Sequence, residues 1–225
     1  MPAVEIVLVH GSWHGSWCWP PLRAELDRLG RVTHVVDLPS MTGPEYGVDA
    51  DAKVVRELVD SIDGPVLLLG HSYGGEVVSQ ASVGVGNIAR LVYLAAFQLD
   101  DGDSPLATVG RELPADLKML PPFDDPIETF YADVPAELAR DAVSRLRPQS
   151  AQAARDRQVG AGWRHIPSTY IVCEQDRAVS PTLQEEMAKR ADDVRRLNAS
   201  HSPFLSMPVE LAAMLADIAS AVDNS

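Results

Sequence analysis

Cysteine is nearly absent from this chain. Cys18 and Cys173 are too few and too far apart for a disulfide framework or a set of zinc ligands. Two reduced, buried thiols in a cytoplasmic protein are the expectation. Basic residues are scarce as well, 19 against 32 acidic ones, for a formal charge of −13. That balance argues against nucleic acid and anionic membrane surfaces as partners, since both require basic patches. It suits an ordinary soluble domain. No apolar run approaches the roughly 18 residues of a membrane span. No basic region precedes the first apolar stretch, so Met1-Pro2-Ala3-Val4-Glu5 does not read as a signal peptide. Internal repeats and low-complexity tracts are also lacking.

What is present fits one substantial domain over residues 1–225, with ample length for a large core. Val4 to Val9 is short, β-branched and apolar, the pattern of a strand buried on both faces. Pro20 and Pro21 suit a first helical turn, and Leu22, Leu26 and Leu29 carry helical spacing to a stop at Gly30. Val32 to Val36 reads as a strand, and Asp49 as the cap of a helix bearing Val54, Val55, Leu58, Val59 and Ile62. Further strands are expected at Val66 to Leu69, Leu91 to Ala95, Ile166 to Cys173 and Val194 to Leu197, with helices from Pro181 to Arg190 and Pro203 to Val222. Strands alternating with helices predict an α/β fold whose sheet is mainly parallel, with about six strands and helices on both faces.

Residues 98–164 break the alternation. Seven of the 17 prolines lie there, with no convincing strand and with short helix candidates at Ala136 to Arg145 and Ala151 to Gln158. The expected organisation is a core of residues 1–97 and 165–225 with a helical lid, 98–164, over the carboxyl ends of the strands, where open α/β sheets bind ligands.

The chemistry centres on Gly70-His71-Ser72-Tyr73-Gly74. A strand runs into this Gly-x-Ser-x-Gly and a helix leaves it, which sets Ser72 on a sharp, exposed bend. Gly70 and Gly74 lie where strand and helix cross closely, leaving no room for a Cβ. A serine nucleophile needs a base, and the base needs a carboxylate to orient it. Asp176 and His201 each follow a strand, in the order serine, acid, histidine. Glu174 is the competing acid. His34 and His165 read as structural, and His71 as a packing residue pointing away from Ser72. Two N–H groups would hold an oxyanion: that of Tyr73, after the nucleophile, and that of Ser12, in the loop following the first strand. Each such donor is worth about 3 kcal/mol of barrier. Gly11 lets that loop's backbone approach substrate.

His10-Gly11-Ser12-Trp13-His14-Gly15-Ser16-Trp17-Cys18-Trp19, together with the Ser72 motif, Asp176 and His201, resembles the α/β-hydrolase superfamily. Within it, the chain is similar to the branch of plant methyl esterases and hydroxynitrile lyases. The resemblance covers Val4 to Ala95 and Pro167 onward and barely touches the lid. It implies hydrolysis of a small or medium neutral carboxylic ester through an acyl-enzyme, without metal or cofactor. It also implies substrate contact for Trp13, His14 and Gly11, while Trp17 and Trp19 are expected to pack in the core. The lyases that this chain resembles carry threonine at the position of Gly11 and lysine at that of Pro203, so lyase chemistry is disfavoured. An aspartate nucleophile, as in dehalogenases and epoxide hydrolases, is absent. The alternatives are a lyase or C–C hydrolase on the same triad, or a receptor-like binding module with little turnover. Oligomeric state stays open, a homodimer among the options.

Overall fold

The computed structural model describes residues 3–224; Met1, Pro2 and Ser225, at the ends of the expected domain, lie outside the described residues. Six parallel strands form the main sheet: β1 (Glu5–Val9), β2 (Thr33–Val36), β3 (Val66–His71), β4 (Ile88–Leu94), β7 (Ser168–Cys173) and β8 (Asp193–Leu197). Their spatial order is β2-β1-β3-β4-β7-β8. The chain works outward from β1 to β2, returns to β3 on the other side of β1, and continues to the far edge. The reversal therefore lies between β1 and β3, and such a switch point opens a crevice at the carboxyl ends of the strands. Pairing sets Val9 opposite Gly70 and His71 opposite Leu94, so the loops after β1, β3 and β4 leave at one level.

Unbroken apolar strands are explained by two separate cores, because alternate side chains face opposite sides of the sheet. Ile6, Leu8, Leu67, Leu69, Val92 and Ile171 pack on one side with Leu22 and Leu26 of α1 (Pro20–Arg28). Leu211, Leu215 and Ile218 of α10 (Pro208–Asp223) complete that layer. Val7, Val9, Leu68, Tyr93, Tyr170 and Val172 pack on the other side. There they meet Val55 and Val59 of α2 (Val48–Asp60), Val77 and Val78 of α3 (Gly74–Ala81), and Met187 of α8 (Pro181–Ala188). Removing one such fully buried leucine side chain costs about 2–5 kcal/mol.

Three local expectations change. Asp49 does not cap α2: Gly47 is the N-cap, and the Asp49 carboxylate accepts from the Gln80 side chain. The helix expected from Pro203 is split into α9 (Pro203–Ser206) and α10, with Met207 outside the helical region at φ −135° and ψ 51°. Pro208 causes the break, since it lacks an N–H and disfavours the helical region for the residue before it. The segment between β4 and β7 carries four short helices, α4 (Pro105–Thr108), α5 (Pro126–Phe130), α6 (Ala136–Arg145) and α7 (Ala151–Arg155). It also holds an antiparallel ribbon that local pattern does not signal, β5 (Met119–Leu120) on β6 (Gln149–Ser150). Among the described residues no helix is long and apolar enough to cross a membrane. Both cysteines are buried and free.

Candidate active site

Ser72 stands between β3 and α3 at φ +53°, left-handed backbone that a non-glycine residue adopts at a cost. Its neighbours leave no alternative. A Cβ on Gly70 would lie 2.6 Å from the Gly74 carbonyl carbon, and one on Gly74 would lie 2.7 Å from the carbonyl oxygens of Val9 and His10. Strand, helix and the end of β1 are thus in backbone contact beneath the serine. Gly11 closes the arrangement from the β1 side, where an added Cβ would come within 2.8 Å of the Ser72 Cβ.

Asp176 and His201 meet directly, with His201 Nδ1 donating to Asp176 Oδ2 at 2.7 Å. The carboxylate is held by three further donors: the N–H groups of Ala178 (2.7 Å) and Val179 (3.0 Å) on Oδ1, and Gln184 Nε2 (2.8 Å) on Oδ2. An ionised carboxylate only accepts, so the proton of the pair sits on Nδ1 and His201 Nε2 is left as a base. Glu174, the competing acid, is solvent-exposed. Among the described residues Ser72 Oγ makes no hydrogen bond to His201, a bond that often tightens only when substrate is present.

His71, expected as a packing residue, is fully buried and also does something more specific. Its Nε2 donates to the His201 carbonyl oxygen at 2.8 Å, and the two rings lie 4.5 Å apart. On the other side of the same loop, Asp133 accepts from the Ser200 N–H at 2.8 Å and from the Ser200 hydroxyl. Ser200 and the peptide after His201 are therefore held in place.

The loop after β1 is shaped by its own histidines. His10 Nδ1 donates to the Gly11 carbonyl at 2.9 Å, and its Nε2 accepts from the Leu38 N–H at 3.1 Å. The peptide is trans, so turning the Gly11 carbonyl toward His10 aims the Ser12 N–H the opposite way. Among the described residues neither the Ser12 N–H nor the Tyr73 N–H has a protein acceptor, and both residues line one cavity with Ser72.

His14 is buried, donating from Nδ1 to the Ser12 carbonyl (2.8 Å) and accepting on Nε2 from the Tyr131 hydroxyl (2.7 Å). Burial above all holds its pKa down at about 3, against the hydrogen bond to the Ser12 carbonyl and with smaller help from His201 and His10. Of the three residues expected to touch substrate, Trp13 lines the cavity, whereas His14 and Gly11 do not. The physical reason is that both His14 nitrogens are committed within the protein, and Gly11 faces Ser72. Trp13 itself adopts φ +64°, donates its indole N–H to the Leu120 carbonyl (2.9 Å) and accepts from the Arg147 N–H on its own carbonyl (2.9 Å). Trp19 is fully buried, and Trp17 stacks on the His14 ring at 5.5 Å. His34 pairs with Glu5 at 2.6 Å across β1 and β2.

The cavity encloses about 320 Å³. Leu106, Val109, Leu120, Phe123 and Phe130 of the inserted segment form an apolar wall opposite Ser72. The Arg111 guanidinium sits 5.5 Å over the Phe123 ring, and Asp124 also reaches the lining. Next to Ser72 in the chain, the Tyr73 hydroxyl donates to Asp51 Oδ2 at 2.7 Å, beside the Ser40 hydroxyl (2.6 Å) and Ser40 N–H (2.9 Å). Burial pushes the Asp51 carboxyl up to about 6. Glu76, equally buried and with no partner for either oxygen, is pushed well above the carboxylate range.

A parallel sheet with a serine on a strained strand-to-helix bend and an Asp–His pair at the same edge defines an α/β hydrolase. The chain belongs to that family: the model of the alpha/beta hydrolase family matches residues 6–214. Among its relatives are a carbendazim hydrolyzing esterase of Nocardioides sp., 30% identical over 94% of this chain and 98% of the relative. Methylesterase 4 of Arabidopsis thaliana is 30% identical over 96% of each. The crystal structure of a pyrethroid hydrolase from Sphingobium faniae superposes with a TM-score of 0.82 at 25% identity, covering 100% of both chains.

Sequence reasoning passed over Tyr131, Asp133 and Asp51. Each acts through a partner elsewhere in the sequence, Asp133 on Ser200, Tyr131 on His14 and Asp51 on Ser40 and Tyr73, so no local pattern could have marked it.

Proposed function

We propose that the protein is a serine hydrolase of small or medium, neutral carboxylic esters, with Ser72 as nucleophile, His201 as base and Asp176 as its orienting acid. The observation that carries this reading is Ser72 on its strained bend, facing an apolar cavity between the two unclaimed N–H groups of Ser12 and Tyr73. His201 Nε2 takes the Ser72 proton as Oγ attacks the ester carbonyl, and the Ser12 and Tyr73 N–H groups hold the oxyanion. Collapse of that intermediate expels the alcohol, protonated by His201. Water, deprotonated by the same histidine, then releases the acid and restores Ser72. The names of the relatives, a carbendazim hydrolyzing esterase and a methylesterase, support ester chemistry. The tight approach of Gly11 to Ser72 and the apolar Pro203 disfavour the lyase reading. We further propose a cytoplasmic protein, in keeping with its two free, buried cysteines, whose acidic charge argues against nucleic-acid and membrane partners. The test is turnover of a panel of neutral aryl and methyl esters by the wild type and Ser72→Ala. Loss of about 10⁶ in kcat is expected for the variant. Full activity in Ser72→Ala would sink the mechanism, and tight binding without turnover across the panel would favour a receptor.

A further inference from the structure

We infer that Gln149 is a substrate-binding residue whose side-chain amide hydrogen-bonds to an oxygen acceptor, such as an ether or ketone, in the body of an otherwise apolar ester. The inference rests on the ester reading and adds the substrate class. Gln149 opens β6, where its backbone pairs with Leu120, the residue whose carbonyl holds the Trp13 indole. The next residue, Ser150, caps α7 through its hydroxyl and donates to the Pro44 carbonyl at 3.1 Å. The position of Gln149 is therefore pinned on both sides.

Its side chain is 1% exposed, yet it makes no hydrogen bond within the protein, and Nε2 is a buried donor without an acceptor. Leaving an amide buried and unpaired forfeits its solvation with nothing in return, and buried polar groups are rarely left so. Gln149 lines the same cavity as Ser72, against a wall of Leu106, Leu120, Phe123 and Phe130. Arg111 and Asp124 are exposed and reach water, and the Tyr73 hydroxyl is taken by Asp51. Among the described residues neither end of the amide has a protein partner, Nε2 is the fully buried one, and a half-turn of the terminal torsion turns that donor toward the cavity. An acceptor on the ligand would satisfy it where the protein does not.

The experiment uses p-nitrophenyl and alkyl hexanoates beside analogues in which one methylene of the acyl or alkoxy chain is replaced by an ether oxygen. The wild type should prefer at least one ether ester over its all-methylene counterpart. Gln149→Leu should raise KM for that ester about tenfold or more relative to the all-methylene ester, with the change in KM rather than kcat, and keep or raise Tm, since an unpaired amide gives way to an apolar group. No ether preference in the wild type would overturn the inference, as would an equal loss on all esters with a lowered Tm, the mark of a structural role. Calorimetric binding of the same compounds to Ser72→Ala, with and without Gln149→Leu, separates the two readings. If the wild type hydrolyses none of them, the ester reading falls. The tenfold difference in binding of the ether compound then stands or fails by itself.

Discussion

Asp51 should make folding stability fall as the pH rises from about 4 to about 6. Desolvation lifts its carboxyl from 3.8 to about 6, against the hydrogen bonds from Ser40 and Tyr73 and with help from the charge of Asp156. Between those two values the folded protein holds a proton that the unfolded chain has released. The stability that proton contributes is complete below pH 3.8 and is lost as the pH climbs through about 6. At about 1.4 kcal/mol per pH unit, the loss comes to about 3 kcal/mol. Asp51→Asn removes the titration while keeping size and an acceptor for the Ser40 N–H. Re-pairing the Ser40 and Tyr73 hydroxyls with an amide carries a cost that does not depend on pH. The difference in unfolding free energy between variant and wild type should therefore move by about 3 kcal/mol in the variant's favour between pH 4 and pH 7. Other titrating groups, Glu76 among them, are present in both proteins and largely cancel in that difference. Urea unfolding at half-unit pH steps measures it directly. Parallel stability curves for the two proteins would refute the reasoning.

Gly11→Thr places a Cβ 2.8 Å from the Ser72 Cβ and 3.1 Å from His71 Nδ1, so the nucleophile must shift. Ester kcat/KM should drop about 10²-fold, and mandelonitrile cleavage should not appear, because Pro203 supplies no cation; any gain of lyase activity in that assay contradicts this account. Asp133→Ala removes the acceptor for the Ser200 N–H and hydroxyl. Steady-state kinetics should show kcat down about tenfold with KM nearly unchanged, and unchanged kcat would mean that the His201 loop holds its place without the inserted segment.

The placing of Ser72, Asp176 and His201 at one sheet edge was readable in the sequence because each follows closely on a strand. Apolar runs ending at Val9, Leu69, Cys173 and Leu197 mark where the loops begin, and the sheet brings those ends to one edge. Gly70 and Gly74 were readable for a related reason, since close crossing of a strand and a helix leaves a local glycine signature. His14 shows where this stops. Its place in an aromatic loop suggests substrate contact, but the Tyr131 hydroxyl that claims its Nε2 lies 117 residues away in sequence. In the inserted segment the helices at Ala136–Arg145 and Ala151–Arg155 were legible, but the ribbon was not, because two residues per strand give too short a period to register and it is held by Trp13 and Pro44 from the core. Gln149 looks like any polar residue until burial makes its unpaired amide conspicuous.

Trp13, His14 and Ser200 each bond to a different part of the inserted segment: to Leu120 and Arg147, to Tyr131, and to Asp133. The segment is thereby stitched to the very loops that carry Ser12 and His201. A designer who exchanged it whole for that of a relative would cut all of these stitches at once and disturb those loops along with the pocket. Substrate range in this scaffold is better altered one lining residue at a time, at Leu106, Val109 or Phe123, which touch the cavity and hold none of the stitches.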